Sequence, residues 1–314
     1  MKILINANAV TKGDIDFTEF EKCGEVTYFG ELPRAELFSL AKDFEAIIVN
    51  KTEVDKELLG HCPKLKYVGL FATGYNSVDI AACRARGITV CNVPDYSTRA
   101  VSQHAFALLL NLLGRINEYT SSVRRGDWIK SETFSYFPWD MAELNGKTFG
   151  IYGYGSIGKA AAKIAEAFGM RVIVCTRTKP EGCPYELVGK EEIFKESDVL
   201  SLHCPLNDGT RGLVNEKTLA LMKPTAVLIN TARGGLVDEN ALAYALNNGK
   251  IAGACADTVA VEPMLENNPL RTAKNCLITP HVAWTAPETR ARMVAVAAEN
   301  LKRFIAGNPQ NTVN

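Results

Sequence analysis

Three short stretches in the second half of the chain carry the residues best suited to chemistry. "LINTARGGLVDE" puts Arg233 directly behind an apolar run, beside Gly234 and Gly235. "ADTVAVEP" puts Glu262 five residues after Asp257, and "LITPHVAW" puts His281 behind Pro280. Histidine exchanges a proton near neutral pH. A carboxylate held against it stabilises the imidazolium, the role expected of Glu262. Arginine holds a substrate carboxylate through two parallel hydrogen bonds and polarises the adjacent carbonyl, a geometry lysine cannot match. The trio suits hydride transfer to the carbonyl of a small 2-oxo acid, with His281 delivering the proton. The chain has four histidines, His61, His104, His203 and His281. A lone histidine is more often structural, and only the Arg and Glu on neighbouring strand ends single out His281.

A hydride needs a carrier. "GIYGYGSIGKAAAKIAEAFGMRVIVCT" holds Gly153, Gly155 and Gly158 in G-x-G-x-x-G spacing, after an apolar strand and before an Ala-rich helix. One glycine permits the tight turn, one lets backbone approach a pyrophosphate, and one lets helix and strand pack closely. The free N–H groups opening the helix, at Ser156 and Ile157, then face the phosphates. Dinucleotide-binding chains commonly place a carboxylate where Thr176 stands, eighteen residues after Gly158. Here the strand runs instead into Thr176, Arg177, Thr178 and Lys179. Without the acid, nothing repels a 2′-phosphate, and a guanidinium with hydroxyl donors is available to bind one. The expected cofactor is NADP, with NAD as the alternative if Arg177 points into solvent.

The elements that position these residues alternate between β-branched runs and amphipathic helical stretches, the pattern of parallel sheets with crossover helices. Strands are expected at "KILINA", "VTYFG", "AIIVN", "KYVGLF" and "ITVCNV" in a first domain, and at "TFGIYG", "RVIVCT", "VLSLHC", "AVLINT", "GACAD" and "CLITPH" in a second. The fold class is α/β, with two doubly wound parallel sheets. In such sheets ligands bind beyond the carboxyl ends of the strands, where Arg233, Glu262 and His281 all fall. One long helix is expected from Thr98 to a stop at Gly126, and another, "APETRARMVAVAAENLKRFIAG", closes the chain. The closing helix is expected to return to the first domain, which makes that domain discontinuous: 1–97 plus 285–314 for substrate, and 98–284 for the dinucleotide.

Composition narrows the function classes. The 314 residues are 47% apolar and 22% charged, as in a globular protein, and 35 basic residues balance 35 acidic ones. No net field recruits nucleic acid or an anionic membrane. The nine cysteines are scattered with no CxxC pair, which fits reduced thiols in the cytoplasm better than a disulfide framework. No metal site is expected.

With "GYGSIG", "LHCPL", "NTARGG", "DTVAVEP" and "TPHVAW" in this order, the chain resembles the D-isomer-specific 2-hydroxyacid dehydrogenases over essentially its whole length. The resemblance implies that the family's Arg, Glu and His are Arg233, Glu262 and His281, and that its nicotinamide-facing Asp is Asp257. It adds Thr231 as a cofactor residue, and Pro205 and Thr210 of "HCPLNDGT" beside the adenine. "ATGYNSVD" resembles the loop that holds the substrate carboxylate, implicating Thr73 and Gly74, and "VPDYST" resembles a hinge from which Tyr96 reaches the substrate. Within the family the likeness is to the glycerate dehydrogenase, or hydroxypyruvate reductase, branch. "FSYFPWDMAELNGKT" belongs to that likeness, and its aromatics at 134–139 are candidates to line a pocket, including that of a neighbouring subunit. The implied partners are a small 2-oxo or 2-hydroxy acid and a second copy in a homodimer. Two other readings stay open: a dehydrogenase for a bulkier 2-oxo acid, and a dinucleotide-sensing protein of the corepressor kind that shares this fold.

Overall fold

The computed structural model describes residues 1–8, 10–178 and 180–314. The chain divides into two compact units, 1–97 with 284–314, and 98–283.

The first unit holds strands β1 (Lys2–Asn6), β2 (Glu25–Phe29), β3 (Ala46–Val49), β4 (Tyr67–Leu70) and β5 (Thr89–Cys91), all paired in parallel in the order β2-β1-β3-β4-β5. That order is the flavodoxin-like variant of the doubly wound sheet. Helices α1 (Thr18–Glu21), α2 (Arg34–Ala41), α3 (Lys56–His61) and α4 (Ile80–Ala85) lie between the strands. Every residue of β3 and β4 is buried, as a sheet covered on both faces requires. Asp55 and Asp79 cap α3 and α4 by accepting from the Leu58 and Ala82 N–H groups, each cap contributing about 1 kcal/mol.

The second unit begins with α5 (Thr98–Gly114) and α6 (Ile116–Arg124). The single helix expected here is broken, because Arg115 sits in the left-handed region at φ +50°. Its guanidinium reaches Glu118 and Asn275, which holds the break. Strands β6 (Thr148–Tyr152), β7 (Arg171–Cys175), β8 (Glu186–Leu187), β9 (Val199–Leu202), β10 (Val227–Asn230), β11 (Gly253–Ala256) and β12 (Cys276–Ile278) form a parallel sheet ordered β12-β11-β10-β9-β6-β7-β8. Six strands were expected and seven are present among the described residues; β8 is an edge strand of two exposed residues, Glu186 and Leu187, too short to carry a hydrophobic pattern. Crossovers are made by α7 (Ser156–Ala167), α8 (Lys190–Glu196), α9 (Glu216–Leu219) and α10 (Glu239–Asn247). The buried face of α7 is Gly158, Ala161, Ala162 and Ala165, small residues at helical spacing that let it lie close against the sheet. The closing helix, α11 (Pro287–Ile305), belongs to the first unit, where Met293, Val294, Ala297, Ala298 and Leu301 join its core.

Candidate active site

The glycine turn joins β6 to α7, and its three glycines answer to different constraints. Gly153 has φ +101°, and a Cβ there would lie 2.7 Å from the Cys204 amide nitrogen. A Cβ on Gly158 would collide with the Gly153 carbonyl. Gly155 differs: its backbone is extended (φ −81°, ψ −166°), and an added Cβ would meet nothing within 4 Å. The protein's own packing does not demand glycine there, whereas a ligand approaching the backbone would. Gly155 is also the N-cap of α7 and supplies no side-chain acceptor, so the first N–H groups of the helix, at Ser156 and Ile157, are left for an anion. The turn therefore fits a pyrophosphate.

At the end of β7, Thr176 is half-buried while Arg177 and Thr178 are exposed. Lys179 lies outside the described residues. Among the described residues no carboxylate pairs with Arg177, so its guanidinium is available to a phosphate. Pro205 and Thr210 belong to one turn, in which the Thr210 hydroxyl donates to the Pro205 carbonyl at 2.7 Å. Thr231 directly follows β10, with its hydroxyl buried and unpartnered. Cys175 and Cys204 flank this region as buried thiols, and burial raises both, Cys204 to about 11. They are protonated and inert at neutral pH.

Arg233, Glu262 and His281 follow β10, β11 and β12, three adjacent strands of one sheet. The structure brings two of them into direct contact: His281 Nδ1 lies 2.7 Å from Glu262 Oε2. A carboxylate only accepts, so Nδ1 carries the proton and donates it. That leaves Nε2 as the atom that gives or takes a proton. Both side chains are about a quarter exposed, at 27% and 28%, and so remain reachable. Arg233 is half-buried, with Nη1 donating to the Ala232 carbonyl at 2.8 Å. The adjoining Gly234 lies so close to the Val259 backbone that a Cβ could not fit, which presses the loop after β10 onto the loop after β11.

Asp257 is 1% exposed. Its Oδ1 accepts from the Thr279 hydroxyl at 2.5 Å and the Val282 N–H at 2.9 Å, and its Oδ2 accepts from the Ala283 N–H at 2.9 Å. Burial alone would raise its carboxyl, but the nearby His104 and the bonds from Thr279 and the two amides outweigh burial and hold it below the usual carboxylate range. Asp257 is thus ionised and occupied chiefly with the His281 turn. His104 and Thr279, which complete this network, were not singled out in the sequence. The one available signal was a histidine among the apolar residues of α5.

In the first unit, Thr73 and Gly74 lie in the turn after β4. The Thr73 hydroxyl donates to the Val93 carbonyl at 2.8 Å, and its own carbonyl accepts from Asn92 at 2.7 Å. Tyr96 is 7% exposed and packs in the hydrophobic core of that unit.

The profile described as "D-isomer specific 2-hydroxyacid dehydrogenase, NAD binding domain" matches residues 106–283. The chain belongs to the D-isomer specific 2-hydroxyacid dehydrogenase family. Its relatives in the family include a hydroxypyruvate reductase of Blautia hydrogenotrophica, 39% identical over 100% of both chains. A glycerate dehydrogenase of Methylorubrum extorquens is 43% identical over 86% of this chain and 85% of the relative. Among solved structures, an NADPH-dependent glyoxylate/hydroxypyruvate reductase from Sinorhizobium meliloti, in complex with NADP and malonate, superposes with a TM-score of 0.86 at 32% identity, covering 99% of this chain and 96% of that one. As a member of this dehydrogenase family the protein is an oxidoreductase.

Proposed function

We propose that the protein reduces hydroxypyruvate, glyoxylate or a close 2-oxo acid to the D-2-hydroxy acid, using NADPH in preference to NADH. The observation that carries this reading is the His281–Glu262 pair, 2.7 Å apart at the end of β12, beside an arginine on a neighbouring strand end and in the same unit as the glycine turn. Gly153, Gly155, Gly158, Ser156 and Ile157 hold the pyrophosphate, Thr176, Arg177 and Thr178 the 2′-phosphate, and Pro205, Thr210 and Thr231 the rest of the dinucleotide; Asp257, expected to face the nicotinamide, is 1% exposed and acts instead from behind the His281 turn. When bound, the dinucleotide supplies the hydride. Arg233 grips the substrate carboxylate and polarises the carbonyl. His281 passes its Nε2 proton to the carbonyl oxygen as that oxygen becomes a hydroxyl. Glu262 keeps the ring in the tautomer with Nδ1 protonated and stabilises its charged form. Thr73 and Gly74 are the candidates to bind substrate from the first unit. Tyr96, being core, would act through packing.

The functional unit we propose is a homodimer. Ile116, Val123, Trp128, Ile129, Phe134 and Phe137 fall within one stretch of chain and are between 48% and 90% exposed, more apolar surface than a monomer leaves in water without cause. No helix of the described residues is long and apolar enough to cross a membrane.

The test is oxidation of NADPH and NADH in parallel with hydroxypyruvate and glyoxylate. Turnover that disappears in His281→Ala supports the proposal. Turnover confined to bulkier 2-oxo acids would replace the substrate, and dinucleotide binding without turnover of any 2-oxo acid would favour the sensing role.

A further inference from the structure

We infer that His104, on α5, is a positioning residue for His281, acting through Thr279 and Asp257; the kinetic part of the inference rests on the function proposed above. His104 Nε2 lies 2.9 Å from Thr279 Oγ1 and 3.5 Å from Asp257 Oδ1. Thr279 Oγ1 lies 2.5 Å from that same carboxylate oxygen. An ionised carboxylate only accepts, so the Thr279 hydroxyl gives it its one proton and has only lone pairs left for His104. His104 therefore carries its proton on Nε2 and donates it to Thr279. The order of donation is fixed: His104 to Thr279, Thr279 to Asp257.

What Asp257 does with this support is grip the turn that carries His281. Its carbonyl accepts the His281 N–H at 2.8 Å, and its side chain accepts the next two amides, Val282 and Ala283. Three consecutive amides thus converge on one buried residue. The turn needs this hold, because His281 sits at φ +54°, a left-handed conformation that costs a residue with a Cβ about 1 kcal/mol or more. Such a conformation persists only where its surroundings over-determine it. The Glu262 bond orients the ring, but nothing in that bond fixes the backbone. The backbone is fixed from behind, by Asp257, and Asp257 is fixed by Thr279 and His104. A His104 that left this chain of bonds would let Asp257 and the His281 turn loosen together, moving Nε2 from the carbonyl oxygen without touching the cofactor's phosphates.

The experiment compares the full-length wild type with His104→Leu, His104→Gln and Thr279→Val by amide hydrogen exchange and steady-state kinetics. In His104→Leu, exchange of the amides at 281–283 should speed up about tenfold, the effect of one net hydrogen bond. With hydroxypyruvate, kcat should fall by a similar factor while KM for NADPH stays within about twofold. His104→Gln retains a donor near the Nε2 position and should recover most of both losses. Should His104→Leu fail to fold, Thr279→Val removes the same chain of bonds at its middle and carries the same expectations. Unchanged exchange at 281–283 overturns the inference whatever the substrate. A matched loss of kcat and NADPH affinity that glutamine does not rescue also overturns it, since that is general loosening. If exchange responds as expected but the wild type does not turn over hydroxypyruvate, the substrate assignment fails and the positioning role stands.

Discussion

The two units share an architecture and part ways at one turn. Each has a parallel sheet in which the strand order reverses beside its first strand: β1, between β2 and β3, and β6, between β7 and β9. Such a switch point opens a crevice at the carboxyl ends of the strands in both units. After β6 the chain needs only Gly153, Tyr154 and Gly155 before a helix of 12 residues begins. After β1 it runs from Ala7 to Phe17 before a helix of 4 residues, which carries Glu19 and Glu21 in its first turn. That end repels a phosphate, whereas the N-terminus of α7 attracts one. Topology supplies the crevice, and glycine with an uncapped helix suits it to an anion. The three residues proposed for catalysis follow the same asymmetry, for Arg233, Glu262 and His281 all belong to the second unit.

The comparison is broken or sharpened most strongly at His281. His281→Ala should lower kcat about a thousandfold, as loss of a positioned acid–base group does, with KM for NADPH and the melting temperature little changed. A His281→Ala variant that keeps kcat within about tenfold of the wild type would overturn the assignment of proton transfer to the second unit. Next come the glycines. Gly155→Ala should weaken NADPH binding about a hundredfold, by filling the space where a pyrophosphate approaches the backbone, and cost little stability, because the added Cβ meets nothing within 4 Å. Gly153→Ala should instead destabilise the protein by about 2 kcal/mol, from its positive φ and its approach to Cys204. Equal stability losses in the two variants would mean that both glycines serve packing. Arg177→Ala should reduce the preference for NADPH over NADH about tenfold, or 1.4 kcal/mol, read as the ratio of the two kcat/KM values. A ratio that does not move places the 2′-phosphate elsewhere.

The smallest effect is on stability against pH. Burial pushes His203 down to about 4 from its ordinary 6.5, although part of the residue reaches the surface. The folded state disfavours its protonation, so its contribution is fully present above pH 6.5 and is lost as pH falls toward 4. A completely dry ring would cost about 3 kcal/mol there; the partial exposure reduces the expected loss to about 1 kcal/mol. His203→Asn should flatten the stability profile over that window, measured by denaturant unfolding. An unchanged slope would assign acid sensitivity to other groups.

Much of the site was legible because its chemistry lies in residue types at fixed spacing. Gly153, Gly155 and Gly158 announce a turn that few other sequences build, and a Val- and Ile-rich strand needs no partner residue named to be recognised. Arg233, Glu262 and His281 were legible for a related reason: each follows an apolar strand, and strand ends are where such sheets place ligands. What escaped depended on distance along the chain. The break at Arg115 is set by Asn275, 160 residues away. β8 exists because β7 offers it an edge, and its own two residues say nothing. His104 meets Thr279 across 175 residues, and Thr279 meets Asp257 across 22.

The sequence by itself determined the α/β class and the glycine turn, and singled out the residues we propose for acid–base chemistry and carboxylate binding, because local periodicity and side-chain chemistry are properties of short stretches. Only the tertiary structure decided that Glu262 accepts the Nδ1 hydrogen bond and frees Nε2. It alone decided that His281 turns left-handed, and that Asp257 spends itself holding that turn. Those outcomes depend on which hydrogen-bond partners the packed sheet brings within 3 Å of each other, and no single stretch of chain contains both partners.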